Sequence, residues 1–530
     1  MAISLLDISW YFAIWSMGWL FMKLFRLLKL YRALQSIPHY QDSSILLGDL
    51  KHLKRHSGEP DSKAISRFII ETHEQFKNHE FYVFWRSWYP TLIIHGRQAI
   101  EDVLSNKNIL RKGVNVEMIK DWIGDGLLTS TGEKWKERRK LITPAFHFKI
   151  LEDFVPSIVS HTSQLLDEWA KKDVQIIDVH KAMPKLTLDI LFETAMGLSS
   201  DEMVDERLKY VEAIKDATSL SSKRFHSVSA IISAVYYRTR AGKEYLRALD
   251  IIHGFTSRVI KQRIATIQSK NEHENLSSRE ESDEKINSAQ DNVYFRGKKR
   301  KQAFMDTLID EFLTKSRRGS RLKLEDIREE VDTFMFAGHD TTATALTYTV
   351  FLLGCFPNVQ EKLYEELLSN GVFDRETQKV DNQKLNSLPY FEACLKESLR
   401  LFPPVPIIQK AAPKDLKICG QSIPEGLSLS LHLYFLHKDP EIFPDPEKFD
   451  PERFMDSRSQ NIPPFSYVPF SAGPRNCVGQ KFALLEMKIF LSLLLMRFKL
   501  RSFQKPDEID ASFEIVLRPT SDILVEITKR

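Results

Sequence analysis

The chain has 530 residues, of which 43% are hydrophobic and 11% aromatic, so it can bury a large apolar interior. Its formal net charge is only +4. It contains no zinc-finger or RNA-module pattern either, so a nucleic-acid partner is not indicated. The cysteines are scattered without a CxxC pair: Cys355, Cys394, Cys419 and Cys477. This spacing excludes a disulfide-rich scaffold and favours a reducing compartment for most of the chain.

Residues 1–34 are predicted to form a single-pass membrane anchor. The segment from Ile8 to Met22 carries no charge, and basic residues follow it between Lys23 and Arg32. Because this charge follows the apolar run, a cleaved signal peptide is disfavoured and the body is expected on the cytosolic side. An uncharged run of fifteen residues is shorter than the roughly 20 that a bilayer core requires. A buried or interfacial N-terminal helix is therefore the alternative.

Residues 35–530 are predicted to form a mainly α domain with a minor β-sheet. Apolar residues recur with a period of about 3.6 in many segments, for example over residues 150–170. Strand-like runs are few and short. They are FYVFW at Phe81, TLIIHG at Thr91, LKICG at Leu416 and FEIVLRP at Phe513.

The segment of residues 269–302 stands apart in its composition. It is rich in charged residues, Ser and Asn, and poor in large apolar residues. Such a segment cannot bury enough surface to offset the entropy of ordering it, so we expect a mobile polar surface loop. An interdomain linker is the alternative.

The stretch GEKWKERRKLITPAFH places Trp135 and Arg139 at i and i+4, one helical turn apart. Basic residues surround this pair: Lys134, Lys136, Arg138 and Lys140. Taken alone, they indicate a solvated basic face.

Residues 324–356 are predicted to form one long helix, because apolar and small residues recur at spacings of three and four. AGHDTT, residues 337–342, lies across its middle. Glycine and threonine inside a helix carry a propensity cost, and threonine can bond to a carbonyl one turn earlier. Such a cost often marks a functional site, although close helix packing is the alternative. His339, within the motif, is expected to be a solvated or core histidine.

Two further motifs carry charge or sulfur near the C-terminus. Glu397 and Arg400 lie at i and i+3 and can pair on one helix face, and Arg453 follows in PERF. In FSAGPRNCVG, Cys477 lies just before a helical pattern that runs from Gln480 to about residue 497. A thiolate there would be stabilised by backbone amides and the helix dipole, as a metal-ligating sulfur requires, although a buried structural cysteine is the alternative.

The spacing Phe-x-x-Gly-x-Arg-x-Cys-x-Gly resembles the cysteine loop of the cytochrome P450 superfamily, and AGHDTT resembles its oxygen-binding helix. The resemblance extends from about residue 45 to the end of the chain. GDGLLTSTGEKWKERRKLITPAFHF and EEVDTFMFAGHDTT look most like family four, which includes fatty-acid ω-hydroxylases and insect and nematode lipid or xenobiotic oxidases. The resemblance implies the cytochrome P450 fold, an α-rich prism around a buried haem, preceded by the N-terminal anchor.

The same resemblance assigns roles to individual residues. The haem-binding residues are Cys477 as thiolate ligand of the iron, Phe470 beside the sulfur, Gly473 and Gly479 for close backbone approach, and Arg475, Trp135 and Arg139 for the propionates. Thr341 and Asp340 are the alcohol and acid that deliver protons to bound dioxygen. Glu397, Arg400 and Arg453 form a buried structural charge triad behind the cysteine loop. The substrate pocket is lined by Phe334, Ala337, Thr341, Val405 and residues 114–122.

Position 337 departs from the family-four pattern. Many members carry a glutamate there that esterifies a haem methyl, whereas this chain has Ala337. The resemblance therefore implies haem b bound without a covalent link, and it leaves strict ω-hydroxylation in doubt.

The resemblance also implies partners and a location. Dioxygen and a small lipophilic substrate enter the pocket, and electrons come from NADPH through cytochrome P450 reductase, with cytochrome b5 as a further donor. The basic face around Trp135 is a candidate dock for the acidic reductase. The expected location is the endoplasmic reticulum membrane, with the catalytic domain in the cytosol. The alternatives are a hydroperoxide isomerase with the same fold and a non-catalytic haem- or lipid-binding protein.

Overall fold

Helices dominate the computed structural model, which describes residues 5–44, 46–54, 56, 60–199, 203–227, 232–284, 303–315, 322–374 and 379–530. In chain order the α-helices are α1 (Leu5–Leu34), α2 (Asp61–Phe76), α3 (Arg97–Ser105), α4 (Val114–Glu117), α5 (Lys120–Ile123), α6 (Gly132–Ile142), α7 (Phe148–Leu151), α8 (Val155–Trp169), α9 (Val179–Thr194), α10 (Val204–Phe225), α11 (Ser233–Tyr236), α12 (Arg240–Glu284), α13 (Phe304–Lys315), α14 (Leu324–Cys355), α15 (Pro357–Ser369), α16 (Asn382–Asn386), α17 (Pro389–Leu401), α18 (Leu433–Leu436), α19 (Asp456–Gln460) and α20 (Gln480–Arg497).

The strands are short and fall into small sheets. They are β1 (Phe81–Arg86), β2 (Tyr89–Ile94), β3 (Val174–Asp178), β4 (Phe373–Asp374), β5 (Lys379–Val380), β6 (Ile407–Ala411), β7 (Leu416–Ile418), β8 (Gln421–Ile423), β9 (Ser428–His432), β10 (Phe498–Ser502), β11 (Ala511–Phe513), β12 (Leu517–Pro519) and β13 (Leu524–Lys529). The prediction of a mainly α protein with a minor sheet is confirmed.

The largest sheet has the order β1-β2-β9-β6 and forms one wall of the interior. β1 and β2 are an antiparallel hairpin in which Arg86 pairs with Tyr89. Ser87, in the two-residue turn between them, has a positive φ of 54°, as tight hairpin turns require. β9 runs parallel to β2 and antiparallel to β6. A second hairpin, β11 with β12, brings the C-terminal region back toward the interior.

Helix α14 passes through the main hydrophobic core and is buried along most of its length. It packs closely on α9 at Gly338, where an added Cβ would lie 2.9 Å from Cδ1 of Leu191. Thr187 of α9 also donates a hydrogen bond to the carbonyl of His339 at 3.0 Å. A side chain at position 338 would therefore have to displace the end of the Leu191 side chain, so glycine favours this close packing.

Helix α1 covers most of the predicted anchor and exposes large apolar side chains, including Trp10, Trp15 and Phe21. By hydropathy and length, none of the individual helices in the described ranges qualifies as a bilayer span. Among these described helices, α14 and α15 together satisfy that test, as a pair bent by 108°.

The polar segment of residues 269–302 begins as helix. Helix α12 continues to Glu284, and residues 285–302 lie outside the described ranges. The expectation of a loop from residue 269 therefore does not match the backbone of residues 269–284. These residues include Glu, Lys and Arg but no Gly or Pro, so a helix already started in α12 can propagate through them.

The Glu397 carboxylate accepts hydrogen bonds from both buried arginines predicted for the triad. Arg400 donates through Nε and Nη2 at 2.7 and 2.8 Å, and Arg453 donates through Nε at 3.2 Å. The Glu397 and Arg400 side chains are fully buried. Arg400 also donates to the carbonyl of His437, and the ring of His437 accepts from the amide of Val468 at 3.0 Å. A continuous set of hydrogen bonds thus links the triad to the start of the cysteine loop.

Replacing Glu397 with Gln is expected to destabilise the protein by about 3–5 kcal/mol, because two buried guanidinium groups would lose their counter-charge. Urea unfolding followed by circular dichroism would measure this loss. Glu133→Gln, which breaks an exposed ion pair with Lys136, is the matched control and should leave the midpoint unchanged. Equal midpoints for the two variants would contradict the structural role of the triad.

Candidate functional site

An internal cavity of about 450 Å³ lies between α14, the cysteine loop, the β1-β2-β9-β6 sheet and the β11–β12 hairpin. Most of its wall is apolar and aromatic. Among the described residues that line it, the predicted haem-binding and pocket residues are Trp135, Arg139, Phe334, Ala337, Thr341, Val405, Phe470, Arg475, Cys477 and Gly479. The predicted segment of residues 114–122 contributes Asn115, Val116 and Ile119.

The cysteine loop is held in shape by its own backbone. The amide of Cys477 donates to the carbonyl of Phe470 at 2.9 Å, and the amide of Ser471 donates to the carbonyl of Val468 at 2.9 Å. Gly473 has a φ of 74°, and a Cβ there would lie 2.6 Å from the Leu104 carbonyl oxygen. The structure thus places Gly473 against α3 and outside the cavity wall, so its role in the described structure is to let the loop pack.

The sulfur of Cys477 faces the cavity at the start of α20, enclosed by protein yet accessible from within. Burial raises the pKa of the Cys477 thiol, while the backbone amides of Gly479 and Gln480 and the Arg139 guanidinium lower it. These groups stabilise a thiolate, and a metal cation at the sulfur would offset the remaining cost of burial.

Four cationic side chains converge on one wall of the cavity: Lys112, Arg139, Lys410 and Arg475. In the described structure no carboxylate lies within ion-pair distance of any of them. Burial, reinforced by Arg475, lowers the pKa of Lys410 to about 8. Burial, reinforced by Arg475 and Lys410, also lowers the pKa of Lys112 well below its usual value. Burial also lowers the pKa of Arg475 to about 10. A wall with this much unneutralised positive charge suits an anionic ligand.

The predicted propionate residues are rigidly positioned in this wall. Arg475 donates hydrogen bonds to the carbonyls of Leu110, Leu127, Leu128 and Ser130 at 2.7–3.3 Å. Its guanidinium lies over the buried Trp135 ring, 4.9 Å from the centroid.

Arg139 reaches the cysteine loop directly. It donates to both the carbonyl and the side-chain oxygen of Asn476 at 2.9 Å, the residue just before Cys477. Arg139 therefore joins the cationic wall directly to the loop that carries the Cys477 sulfur.

On α14, Thr341 lines the cavity and its hydroxyl donates to the carbonyl of Ala337 at 2.8 Å. Phe334 also lines the cavity and stacks with Phe146. His339 faces away, is buried, and bonds through Nδ1 to the carbonyl of Met335, so it is placed as a core histidine.

Asp340 points away from the cavity wall, toward the C-terminal hairpin. Arg518 of β12 donates to both of its carboxylate oxygens, at 2.8 and 2.7 Å, and both side chains are buried. Glu514, which lines the cavity, lies 3.5 Å from Nε of the same arginine. Burial raises the pKa of Glu514, although Arg518 opposes this rise. The acid and alcohol of AGHDTT are thus adjacent in sequence but have different surroundings.

These features fit a haem. The sulfur supplies an axial ligand, and the cation wall suits two propionates. Gly479 has ordinary negative φ, and a Cβ there would meet only Cε1 of Phe146, at 3.9 Å. Nothing in the protein itself requires glycine at 479, so the open space beside it suits the close approach of a flat cofactor.

The basic face around Trp135 is smaller than the sequence suggested. Lys134 bonds to Glu329 at 2.8 Å and Arg138 lies 2.6 Å from Asp326, both acids of α14. Lys136 and Lys140 remain on the surface.

Sequence reasoning missed Lys112, Lys410, Glu514 and Arg518. None of them belongs to a recognisable motif, and they reach the site only through the folding of the sheet and the hairpin.

The chain is similar to one family of known proteins over most of its length. The cytochrome P450 family model matches residues 38–526. Cytochrome P450 4c3 of Drosophila melanogaster is 37% identical over 448 residues, covering 84% of this chain and 81% of the relative. Human cytochrome P450 4V2 is 35% identical over 474 residues, covering 89% and 86%, respectively. Drosophila cytochrome P450 4d2 is 38% identical over 435 residues, covering 81% and 83%.

Replacing Gly479 with Leu is expected to lower the haem content of the purified protein sharply, because the side chain would occupy the space beside Cys477. The fold should persist, since no protein backbone obstructs the new side chain. Haem per chain, measured by absorbance against protein concentration, tests this, with circular dichroism as the measure of folding.

Gly254→Leu is the control, since a Cβ at this glycine of α12 also makes only ordinary contact, 3.6 Å from Arg258. Full haem content in Gly479→Leu would show that the cofactor does not approach this position.

Proposed function

Because the chain belongs to family four of the cytochrome P450 superfamily, we propose that it hydroxylates a lipophilic substrate with dioxygen and electrons from NADPH. The chain is a cytochrome P450 monooxygenase; the electron source and the substrate class are the proposed part. The observation that carries the proposal is the placement of Cys477 and Thr341 on one largely apolar cavity.

Haem bound in this cavity would supply the iron that binds and activates dioxygen. Cys477 would hold it through the sulfur, with the amides of Gly479 and Gln480 favouring the thiolate. Arg139 and Arg475 would neutralise the propionates, with Lys112 and Lys410 adding charge. Phe470 and the cysteine loop exclude water from the sulfur side.

Thr341 is the group that we propose handles protons at the cavity wall. Its hydroxyl can release the Ala337 carbonyl and donate into the cavity instead. Asp340 would pass protons to the Thr341 hydroxyl from the side of α14 that faces the C-terminal hairpin. For that, Arg518 must give up at least one of the two carboxylate oxygens that it now holds.

The cavity wall favours a lipophilic substrate. Its lining includes Phe68, Ile93, Leu191, Phe513 and Val516, and such a surface binds hydrocarbon by removing it from water.

We further propose that a membrane and a separate reductase serve the enzyme. The exposed apolar residues of α1 would contact the membrane of the endoplasmic reticulum, and the catalytic domain would lie on its cytosolic side. Lys136 and Lys140, beside Trp135, would attract an acidic cytochrome P450 reductase, with cytochrome b5 as a second donor on the same face.

The wild-type protein, reduced and exposed to carbon monoxide, should show the red-shifted Soret band of a haem thiolate. With reductase, NADPH and a lipid panel, it should give a product whose new oxygen comes from labelled dioxygen. Cys477→Ser should lose both properties, whereas Cys419→Ser, which changes an exposed cysteine outside the cavity, should keep them. Retention of the band in Cys477→Ser would refute the ligand assignment.

Turnover of a hydroperoxide without NADPH would instead support an isomerase. Haem binding without any turnover would support a haem- or lipid-binding carrier.

The haem should be released intact by acid extraction, because Ala337 offers no carboxyl group for an ester bond. The one carboxylate in the described cavity wall, Glu514, lies close to Arg518. Ala337→Glu is the matched variant and should accumulate acid-resistant haem during turnover. Mass spectrometry of the released haem and of the protein measures both outcomes. Protein-bound haem in the wild type after extraction would refute the non-covalent assignment.

A further inference from the structure

Strand β3 forms one edge of the small sheet β10-β13-β3 and carries exposed apolar side chains. Val174 and Ile176 are 52% and 56% exposed, although both lie within a regular strand. Leu524 of β13, on the same face of the sheet, is also exposed. The proposed function uses none of these residues.

The hydrogen bonds at the two ends of β3 show which of its backbone groups face outward. The amide of Lys529 in β13 donates to the carbonyl of Asp173 at 3.2 Å. At the other end of the strand, the amide of Val179 donates to the carbonyl of the residue just before β13. Such hydrogen-bonded pairs fall at every second residue of an antiparallel ladder. The amides and carbonyls of Val174 and Ile176 therefore point away from β13, toward the edge of the sheet.

The opposite edge of this sheet is covered, whereas the edge at β3 is open. At the covered edge, the side chain of Gln360 donates to the carbonyl of Leu500 in β10 and accepts from its amide, at 2.9 and 3.0 Å. No residue in the described ranges makes such bonds to Val174 or Ile176. Folded proteins usually block an open edge with charge or proline, because it is a template for pairing with another strand. The middle of β3 has neither.

We propose that β3 pairs with β3 of a second copy of the chain, in an antiparallel arrangement about a two-fold axis at Gln175. In this register Val174 lies opposite the partner's Ile176, and their outward backbone groups exchange two hydrogen bonds. The two-fold axis repeats this pair, so the interface is the same on both copies. The exposed apolar side chains of each strand then cover those of the other.

Charge complementarity selects this register. Lys172, exposed just before β3, lies opposite the partner's Asp178, so opposite charges meet at both ends of the paired strands. An axis at Ile176 would also satisfy the outward backbone groups. It would, however, place Val174 opposite the partner's Asp178 and Lys172 opposite the partner's His180. That register sets an apolar side chain against a carboxylate and gives the lysine no acid.

A disulfide tests the register directly. Residue 175 lies opposite its own copy in a pair without hydrogen bonds, where the Cα atoms are about 4.5 Å apart, a distance that a disulfide can span. Gln175→Cys, in a Cys419→Ser background that removes an exposed native cysteine, should give a disulfide-linked dimer on mild oxidation. Non-reducing electrophoresis of the full-length haem protein in detergent solution measures it. Lys499→Cys, on the same face of the sheet but on β10, is the matched control and should stay monomeric.

Two variants at the edge test the pairing itself. Ile176→Pro removes an amide that faces the open edge, a position where a strand tolerates proline, so it should abolish the cross-link and give a monomer in sedimentation velocity. Lys172→Glu should weaken dimerisation several-fold, because it sets like charges against the partner's Asp178 at both ends. Asp178 itself is left unchanged, since its carboxylate accepts from the amide of His180 at the start of α9 and pairs with Lys181.

Circular dichroism and the carbon monoxide spectrum check that each variant folds. If Ile176→Pro does not fold, Ile176→Lys places a charge at the same edge and takes over its test. A monomeric wild type would overturn the proposal, and so would the absence of a cross-link in Gln175→Cys. A dimer that persists in Ile176→Pro and Ile176→Lys would overturn it too, because the interface would then lie elsewhere. The pairing requires neither substrate nor NADPH, so it and the proposed function can fail independently.

Discussion

The position of the Cys477 sulfur depends on the Glu397 carboxylate, which does not contact it. Glu397 holds Arg400 and Arg453 in the core, Arg400 holds the carbonyl of His437, and the ring of His437 receives the amide of Val468. Burial lowers the pKa of His437 to about 3. The ring is therefore neutral, and the nitrogen facing Val468 can remain a hydrogen-bond acceptor across the physiological pH range. The charge triad thus stabilises the geometry of the cysteine loop through the hydrogen bonds of His437.

The cavity is distinguished by an imbalance of charge rather than by its size. Where the chain buries an arginine for structural purposes, it supplies an acid, as with Arg400 and Arg518. Among the described residues, no acid pairs with Lys112, Lys410 or Arg475 around the cavity, and burial lowers the pKa of all three. The cost of such burial persists in a folded protein when the missing charge arrives with a ligand. The same reasoning makes this wall suited to an anionic group.

Much of the architecture could be predicted from local sequence, because the longest helices carry strong periodicity. The predicted helix from Gln480 to residue 497 matches α20, and the one over residues 324–356 matches α14 to within a residue. β3 and β13 pair residues that lie far apart in the chain, so no local sequence pattern predicts this pairing. The helical continuation of α12 to Glu284 went unpredicted for a different reason. Polar composition indicates exposure, and an exposed segment without helix breakers can still be helical.

In the site, too, some residues could be predicted from the sequence and others could not. Cys477, Arg475 and Trp135 belong to motifs, so their convergence was predictable once a resemblance was recognised. The partner of Asp340 was not, because Arg518 reaches it from β12, across 178 positions of sequence. That ion pair changes what the motif can do. An acid next to an alcohol in a motif suggests direct proton transfer between them, but Arg518 donates to both oxygens of this carboxylate, and Asp340 does not line the cavity. Arg518 also lies beside Glu514 in the cavity wall, so one arginine joins the acid of the motif to the lining of the cavity.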